Sequence, residues 1–449
     1  MRVVVVGAGR MGFSLAQRLD EEGHEVFLLD TDPRRIERAR MRLDVMAVTG
    51  SGTSLRALRE LGAERADLLV AASGSDEVNL VACLMARRLG VERRIARVGS
   101  SRLVEDLREA GSDVLGVDDF INPTRVAIDR LRRIVITPAT IESAEFAGGA
   151  IVLRALRVEE GAEIAAAPLS QLNALFADEF RVAAVRRGGE LIVPTGEFQI
   201  APGDIVYVVM RAGSLESFLA VFRFHRSVTR RVFLYGAEEI GVGLAAALEG
   251  EVGDIILIDP DPGACDLASQ RLRTANVVHG SPLDQPLLKD LGIEDGDYFL
   301  GLSGDDANNL SSALLARRLG VRGALMLTGE PESAPHFEAL PLDAVVSPLL
   351  LSVGAILRLV RESRVISLFN LANGEGEAIE MEVAPDAPAA GRTLAEMAFP
   401  RGALVAAVIG EEGAQVAGGG TAIRAGDRVI VVTLRSAYDA AVALFSPRG

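Results

Sequence analysis

The sequence predicts an α/β chain: two doubly wound parallel-sheet domains, each followed by a small α+β module. Three observations predict it. Short aliphatic runs alternate with helix-like segments through the first part of the chain. That rhythm then breaks into hairpin-like strands. Finally, the whole order repeats. The stretch Ser73–Gly90 recurs as Ser303–Gly320, with Asp76 and Asp306, Asn79 and Asn309, and a closing Ala-Arg-Arg-Leu-Gly in register. Outward from it, Gly50-Ser-Gly-Thr53 parallels Gly280-Ser-Pro-Leu283, Asp30 parallels Asp259, and Gly7 and Gly12 parallel Gly236 and Gly241. The expected domains are 1–135, 136–224, 229–360 and 361–449.

Each element has a local reason. Val3–Val6 is a fully apolar run suited to a strand buried on both faces. Gly7, Gly9 and Gly12 follow it as G-x-G-x-x-G and open the apolar-periodic segment Phe13–Leu19. Past Gly23, the strand Glu25–Leu29 ends in Asp30. Further strands are expected at Val45–Val48, Leu68–Ala71, Ile95–Val98 and Val114–Val117. Asn122-Pro123 then starts an arginine-rich amphipathic helix, Thr124–Ile134. From Ile136 to about Phe222 the pattern is different. Ile151–Val158 alternates as a strand, and Pro168 starts a short helix. Arg181–Arg186 and Glu190–Pro194 flank Arg187-Gly-Gly as a hairpin. Ala201-Pro-Gly203-Asp204 turns into the strand Ile205–Met210. The second half repeats the plan: Arg231–Leu234 into Gly236-Ala-Glu238-Glu-Ile-Gly241, Ile255–Ile258 into Asp259, and an apolar helix from Pro348 to about Val360. A second α+β module, from about Ser363, holds Val405–Ile409, a hairpin loop at Gly418–Gly420, the turn Ala425-Gly426-Asp427, and Arg428–Thr433.

Composition narrows the function. A chain of 449 residues is too long for one ordinary domain. The net charge of -15 argues against nucleic acid or an anionic membrane surface as partner. Cys83 and Cys265 lie far apart, and neither belongs to a C-x-x-C pair, so neither a disulfide framework nor a zinc site is expected. This fits a reducing cytoplasm. Because the chain starts on a core strand, no secretory leader is expected. The longest apolar stretch, Val345–Leu357, is too short to span a bilayer and meets Arg358. Any membrane role must therefore pass through a partner.

The glycine loop carries the chemistry. Gly7 permits a tight turn, Gly9 lets main chain approach a pyrophosphate, and Gly12 lets the helix pack against the strand. The positive end of that helix faces the phosphates. Asp30 stands where a carboxylate takes ribose hydroxyls. It favours a free 2′-hydroxyl and hence NAD over NADP, although Arg34 and Arg35 lie nearby. Gly50, Ser51 and Thr53 should face the adenosine side, Thr53 with a hydroxyl to donate; a plain strand-to-helix loop is the alternative. Ser73 and Gly74 gain interest from their place at the crevice mouth. Arg97 suits a phosphate or an acidic residue of a neighbouring subunit, and Asp76 suits a helix N-cap. In the second half, Glu238 replaces the middle glycine and would repel a pyrophosphate, so that site reads as weakened or empty. No catalytic set emerges. His24, His225, His279 and His336 are scattered, no G-x-x-x-x-G-K-[ST] loop is present, and no metal cluster is expected.

Taken together, Gly7-Ala-Gly9-Arg-Met-Gly12, Asp30, Gly50-x-Gly-Thr53, Asp76-Glu77-x-Asn79, Ile95-Ala-Arg97-Val and Asn122-Pro123 resemble the RCK (KTN) family of nucleotide-sensing domains. The tandem is similar to the TrkA-type regulatory subunits of bacterial Trk potassium-uptake systems, over nearly the whole chain. The resemblance implies Rossmann-like RCK domains, each with a C-terminal companion. It implies NAD(H) in the first crevice, with ATP or ADP as competitors. The residues it points to are Gly7, Ala8, Gly9, Arg10, Met11, Gly12, Asp30, Thr31, Gly50, Ser51, Thr53, Ser73, Gly74 and Arg97, with Gly236, Gly241 and Asp259 in the second domain. It further implies a homotetrameric gating ring under a membrane-embedded TrkH-type potassium transporter subunit. The chain would then be cytoplasmic and peripheral to the inner face of the membrane. Four departures stand out. Ser51 replaces a usual acidic residue, Ser73 a frequent Thr, Glu238 the second glycine, and Leu327 occupies the slot of Arg97. The expected function is a ligand-gated regulator. The alternatives are an NAD-dependent oxidoreductase, or a nucleotide-sensing regulator of a different transporter.

Overall fold

The computed structural model describes the chain except for residues 111–115, 137–139, 159, 166–167, 177–178, 215–217, 219–228, 339, 362–364, 412 and 448–449. Two compact units result: Met1–Arg132 with Thr229–Val360, and Arg133–Val228 with Arg361–Gly449.

The first unit holds two six-stranded parallel sheets. In the first lobe the elements are β1 (Arg2–Val6), α1 (Arg10–Glu21), β2 (Glu25–Asp30), α2 (Pro33–Arg42), β3 (Met46–Thr49), α3 (Leu55–Glu60), β4 (Leu68–Ala71), α4 (Asp76–Arg88), β5 (Arg93–Arg97), α5 (Ser101–Ala110), β6 (Asp119–Ile121) and α6 (Pro123–Ile136). Sheet order is β3-β2-β1-β4-β5-β6. The order reverses between β1 and β4, and a doubly wound sheet opens its crevice at that point. Side-chain alternation divides the valine run. Val3 and Val5 join the core with Leu15 and Leu19 of α1, while Val4 and Val6 join Leu58, Ala82, Cys83 and Ala86 on the other face.

Val353, Ile356 and Val360 complete the α1 face of the first sheet. They lie on the helix Pro348–Arg361, which belongs to the second half of the sequence. Each such buried aliphatic contributes about 1.5–3 kcal/mol. Arg93 reinforces the contact by donating from Nη1 to the Leu359 carbonyl at 2.6 Å. In return, α6 meets the second lobe: a Cβ added at Gly243 would lie 2.5 Å from Ile128 Cδ1. The repeat thus exchanges closing helices between its lobes, which are two folding modules in sequence but one packed unit.

The second lobe repeats the sheet from Arg231–Tyr235 through Ala344–Val346, with its first strand again between its second and fourth. The expected strand at Val114–Val117 is displaced. Residues 114–115 lie outside the described residues, and the sixth strand is Asp119–Ile121, paired with Ile95–Arg97. Asp118 accepts from the Arg94 amide N–H at 2.7 Å, and Arg94 Nη2 donates to Asp118 at 2.7 Å, so a polar clamp marks the entry to this strand.

The second unit contains two five-stranded antiparallel sheets. One is β7 (Thr140–Phe146), β8 (Ile151–Arg157), β9 (Phe180–Arg187), β10 (Glu190–Ile192) and β11 (Ile205–Arg211), in the order β10-β9-β11-β8-β7. Its counterpart is built from Val365–Leu371, Gly376–Glu382, Ala403–Gly410, Gly413–Val416 and Arg428–Leu434. The sheets share a core containing Phe146, Tyr207, Val209, Ile430 and Val432. Cross-braces hold them. Ala147 N–H donates to Glu380 Oε2 at 3.1 Å, and Ala372 N–H donates to Glu142 Oε2 at 3.4 Å. Both alanines have positive φ, 53° and 47°, so these carboxylates stabilise two unusual turns. The hairpin loop expected at Gly418–Gly420 is corrected. Gly410 pairs with Gly413, so the chain reverses there, and Gly418 instead turns onto Thr421 by accepting its N–H at 3.0 Å. Among the described residues, no helix is long and apolar enough to cross a membrane.

Candidate functional site

The first lobe gathers its candidate residues at the carboxyl ends of β1, β2 and β4. Gly7 has φ +100°, and a Cβ there would sit 2.8 Å from Ser73 main chain. A Cβ on Gly12 would sit 1.8 Å from the Gly7 carbonyl oxygen. Both glycines are therefore demanded by the fold itself. Gly9 differs: a Cβ there would meet nothing nearer than Arg35 Nη1, at 3.9 Å. Gly9 is the N-cap of α1 and supplies no side-chain acceptor, so the positive end of a 12-residue helix opens onto clear space. An anion placed there meets the main-chain donors of the helix N-terminus.

Asp30 frames the opposite side. Its side chain is buried, with Oδ2 accepting from Ala8 N–H at 2.6 Å and Oδ1 from Asp32 N–H at 2.8 Å. Arg35 Nη1 lies 3.5 Å from Oδ2. One carboxylate thus ties the end of β2 to the glycine loop, beside an arginine. Thr31 follows it, exposed. The Met11 side chain is buried in the sheet core, which leaves its main chain facing the loop.

The flanking loops meet the same crevice. Gly50 N–H donates to the Asp30 carbonyl at 2.9 Å. Ser51 Oγ and Thr53 Oγ1 lie 2.8 Å apart. Ser73 N–H donates to Asn79 Oδ1 at 2.9 Å, while Asn79 Nδ2 donates to the Arg97 carbonyl at 2.8 Å. Arg97 Nη1 donates to the Ser73 carbonyl at 3.1 Å and lies 3.9 Å from Asp76 Oδ1, so within this chain its neighbours belong to its own lobe. Gly74 stands free at the mouth, where a Cβ would meet nothing within 4 Å. Asp76 is not the N-cap. Ser75 caps α4 by accepting from Val78 N–H at 3.2 Å, and Asp76 instead accepts from Gly99 and Ser100 N–H at 2.8 and 2.9 Å.

Two residues here escaped the sequence reading of the site. A Cβ on Gly52 would fall 2.2 Å from Val6 Cγ1, so that glycine lets the third loop close over β1. Asn79 is fully buried and braces both Ser73 and Arg97. The signal was present in each case: Gly52 lies within Gly50-x-Gly-Thr53, and Asn79 is kept in both repeats as Asn309.

The second lobe assembles Gly236, Gly241 and Asp259 in the same way. Asp259 Oδ2 accepts from Ala237 N–H at 2.6 Å, and a Cβ on Gly241 would sit 1.8 Å from the Gly236 carbonyl oxygen. At the middle position, however, Glu238 sends its carboxylate across the crevice to accept from Gly304 N–H at 3.2 Å. Gly304 is the repeat partner of Gly74. A carboxylate of the chain itself therefore occupies the space that is clear in the first lobe. Leu327, in the slot of Arg97, is buried.

Among the described residues, the histidines and cysteines are not gathered into a catalytic set. Burial pushes the Cys83 thiol up to about 12, far from a thiolate at neutral pH. His279 Nε2 lies 3.1 Å from the Pro260 carbonyl, His24 lies near Met1 and Glu22, and His225 lies outside the described residues. Among the described residues, no group of three or more His, Cys, Asp or Glu could hold a metal ion.

The family model described as the TrkA-N domain matches residues 3–123 and 232–348, and that of the TrkA-C domain matches 153–223 and 378–446. The Trk system potassium uptake protein TrkA of Azorhizobium caulinodans is 31% identical over 440 residues, spanning 97% of this chain and 96% of its own. That of Halomonas elongata is 29% identical over 439 residues, with coverage of 97% and 96%. Among solved structures, one described as "GsuK channel bound to NAD" superposes with a TM-score of 0.63 at 19% identity, over 99% of this chain and 78% of its own; the likeness is one of fold. With each of the two domains matched twice in alternation, and relatives aligned over nearly their full length, this chain belongs to the TrkA family.

Proposed function

We propose that the chain is the cytoplasmic nucleotide-sensing subunit of a Trk-type potassium-uptake system. In this reading it forms a homotetramer and acts through a membrane-embedded TrkH-type partner at the inner face of the membrane. The working modules are 1–135, 136–224, 229–360 and 361–449. NAD(H) occupies the first crevice, and ATP or ADP competes for the same place. The observation that carries the reading is the clear space above Gly9, bounded by the uncapped end of α1 and by buried Asp30. The main chain of Gly7, Ala8, Gly9, Arg10, Met11 and Gly12 takes the pyrophosphate. Asp30 and Thr31 face a ribose, while Gly50, Ser51 and Thr53 border the adenosine. Ser73, Gly74 and Arg97 form the mouth. Relatives named as potassium uptake proteins support the transport role, and a protein of the same fold described as a channel bound to NAD supports the ligand.

The mechanism requires no bond to break. A ligand shifts a conformational equilibrium only through its difference in affinity for two states, typically about 1–3 kcal/mol. Nucleotides of different charge and reach can thus favour opposite states of the lobes. The test is potassium flux into vesicles holding the TrkH-type subunit and this chain. Flux that depends on NADH against ATP supports the reading, and equal flux with NADH, ATP or no ligand contradicts it. Turnover of NADH with carbonyl substrates by the isolated chain would move the reading to an oxidoreductase.

A further inference from the structure

We propose that Arg10 is a latch between the two lobes, and that a nucleotide phosphate in the first crevice competes with the second lobe for it. The inference rests on the reading that a dinucleotide binds the first crevice. Arg10 is the first residue of α1, at the edge of the space above Gly9. Its guanidinium reaches the other lobe: Nη1 donates to the Gly329 carbonyl at 2.8 Å and lies 3.2 Å from Glu330 Oε1. Nearby, Arg38 Nη2 lies 3.5 Å from Glu332 Oε1, so cations from two helices of the first lobe face one acidic loop of the second.

The acceptors are presented on a firm loop. Asp306 accepts from Gly329 N–H at 3.0 Å and from Thr328 Oγ1 at 2.6 Å, and Thr328 Oγ1 accepts from Glu330 N–H at 3.2 Å. The Arg10–Glu330 pair is itself solvent-exposed, with side chains 63% and 62% accessible. Such a pair is weak and exchangeable. A guanidinium binds phosphate oxygens at least as well as a carboxylate, through the same planar fork. The latch also runs one way only. In the repeat, Glu239 stands at the place of Arg10 and Ser100 at the place of Glu330, so the equivalent pair is missing in the reverse direction. Binding in the first crevice thereby loosens a contact of the second lobe. By reciprocity, the latched contact lowers affinity for the phosphates.

The test is a double-mutant cycle on the full chain, with NADH and adenosine as probes in calorimetry. Glu330→Gln should tighten NADH about two- to five-fold, the scale of one exposed ion pair, and leave adenosine unchanged. The same substitution made in Arg10→Gln should give no gain. Hydrogen exchange at residues 328–332 should quicken when NADH is added to the wild-type chain. A gain from Glu330→Gln that persists in the Arg10→Gln background is simple charge repulsion and overturns the latch. Equal NADH affinity in wild type and Glu330→Gln overturns it as well, with the nucleotide reading intact. No NADH binding to any of these chains overturns both.

Discussion

The two crevices are built from the same scaffold and contrast most sharply at the middle glycine position of the loop. In both, the first and third glycines are fixed by collisions with the chain's own main chain. In both, a buried aspartate takes the amide N–H of the alanine after the first glycine, at 2.6 Å. The middle position carries the contrast: Gly9 leaves clear space, and Glu238 fills it with a carboxylate resting on Gly304 N–H. The difference separates what the fold requires from what a ligand requires. A glutamate at the middle position is compatible with folding, because the second lobe carries one with φ -83°. The fold does not demand glycine there, and an approaching anion, as proposed for the first crevice, would.

Substitutions that break this comparison should have ranked effects. Gly12→Ala should be the most damaging, destabilising the first unit by about 3 kcal/mol or more, because the new Cβ has only the Gly7 carbonyl to displace. Thermal or denaturant unfolding measures it. Gly9→Glu should leave that unfolding transition in place and still reduce NADH affinity at least about 100-fold, by installing in the first crevice the carboxylate that the second already has. Calorimetry against wild type checks both halves of that statement. Asp30→Asn should cost about tenfold in NADH affinity, the scale of a hydrogen bond to a charged group. Glu238→Gly should have the smallest effect, opening the second crevice to weak binding without altering the first. A second, weaker binding event in the titration reports it.

Much of this arrangement was legible in the sequence. The valine run, the glycine spacing, Asp30 and the duplicated Ser73–Gly90 stretch specify the sheets and the place of the crevice, because main-chain geometry leaves few other residues that fit. The legibility stops where a contact crosses between distant segments. No local pattern indicates that Val353, Ile356 and Val360 would cover the first sheet, since an apolar helix face does not say which sheet it meets. Asp76 resembled a cap because it begins a helix, yet Ser75 takes that role and frees Asp76 to hold the loop of Gly99 and Ser100. The reach of Glu238 to Gly304, and of Arg10 to Gly329, likewise follows from the fold and not from either local sequence.

The most direct test of the account is the stoichiometry of NADH binding to the full chain in calorimetry. One equivalent per chain, abolished by Gly9→Glu with the unfolding transition unchanged, is the predicted result. Two equivalents of equal affinity, or one equivalent that survives Gly9→Glu, would contradict the assignment of the dinucleotide to the first crevice alone.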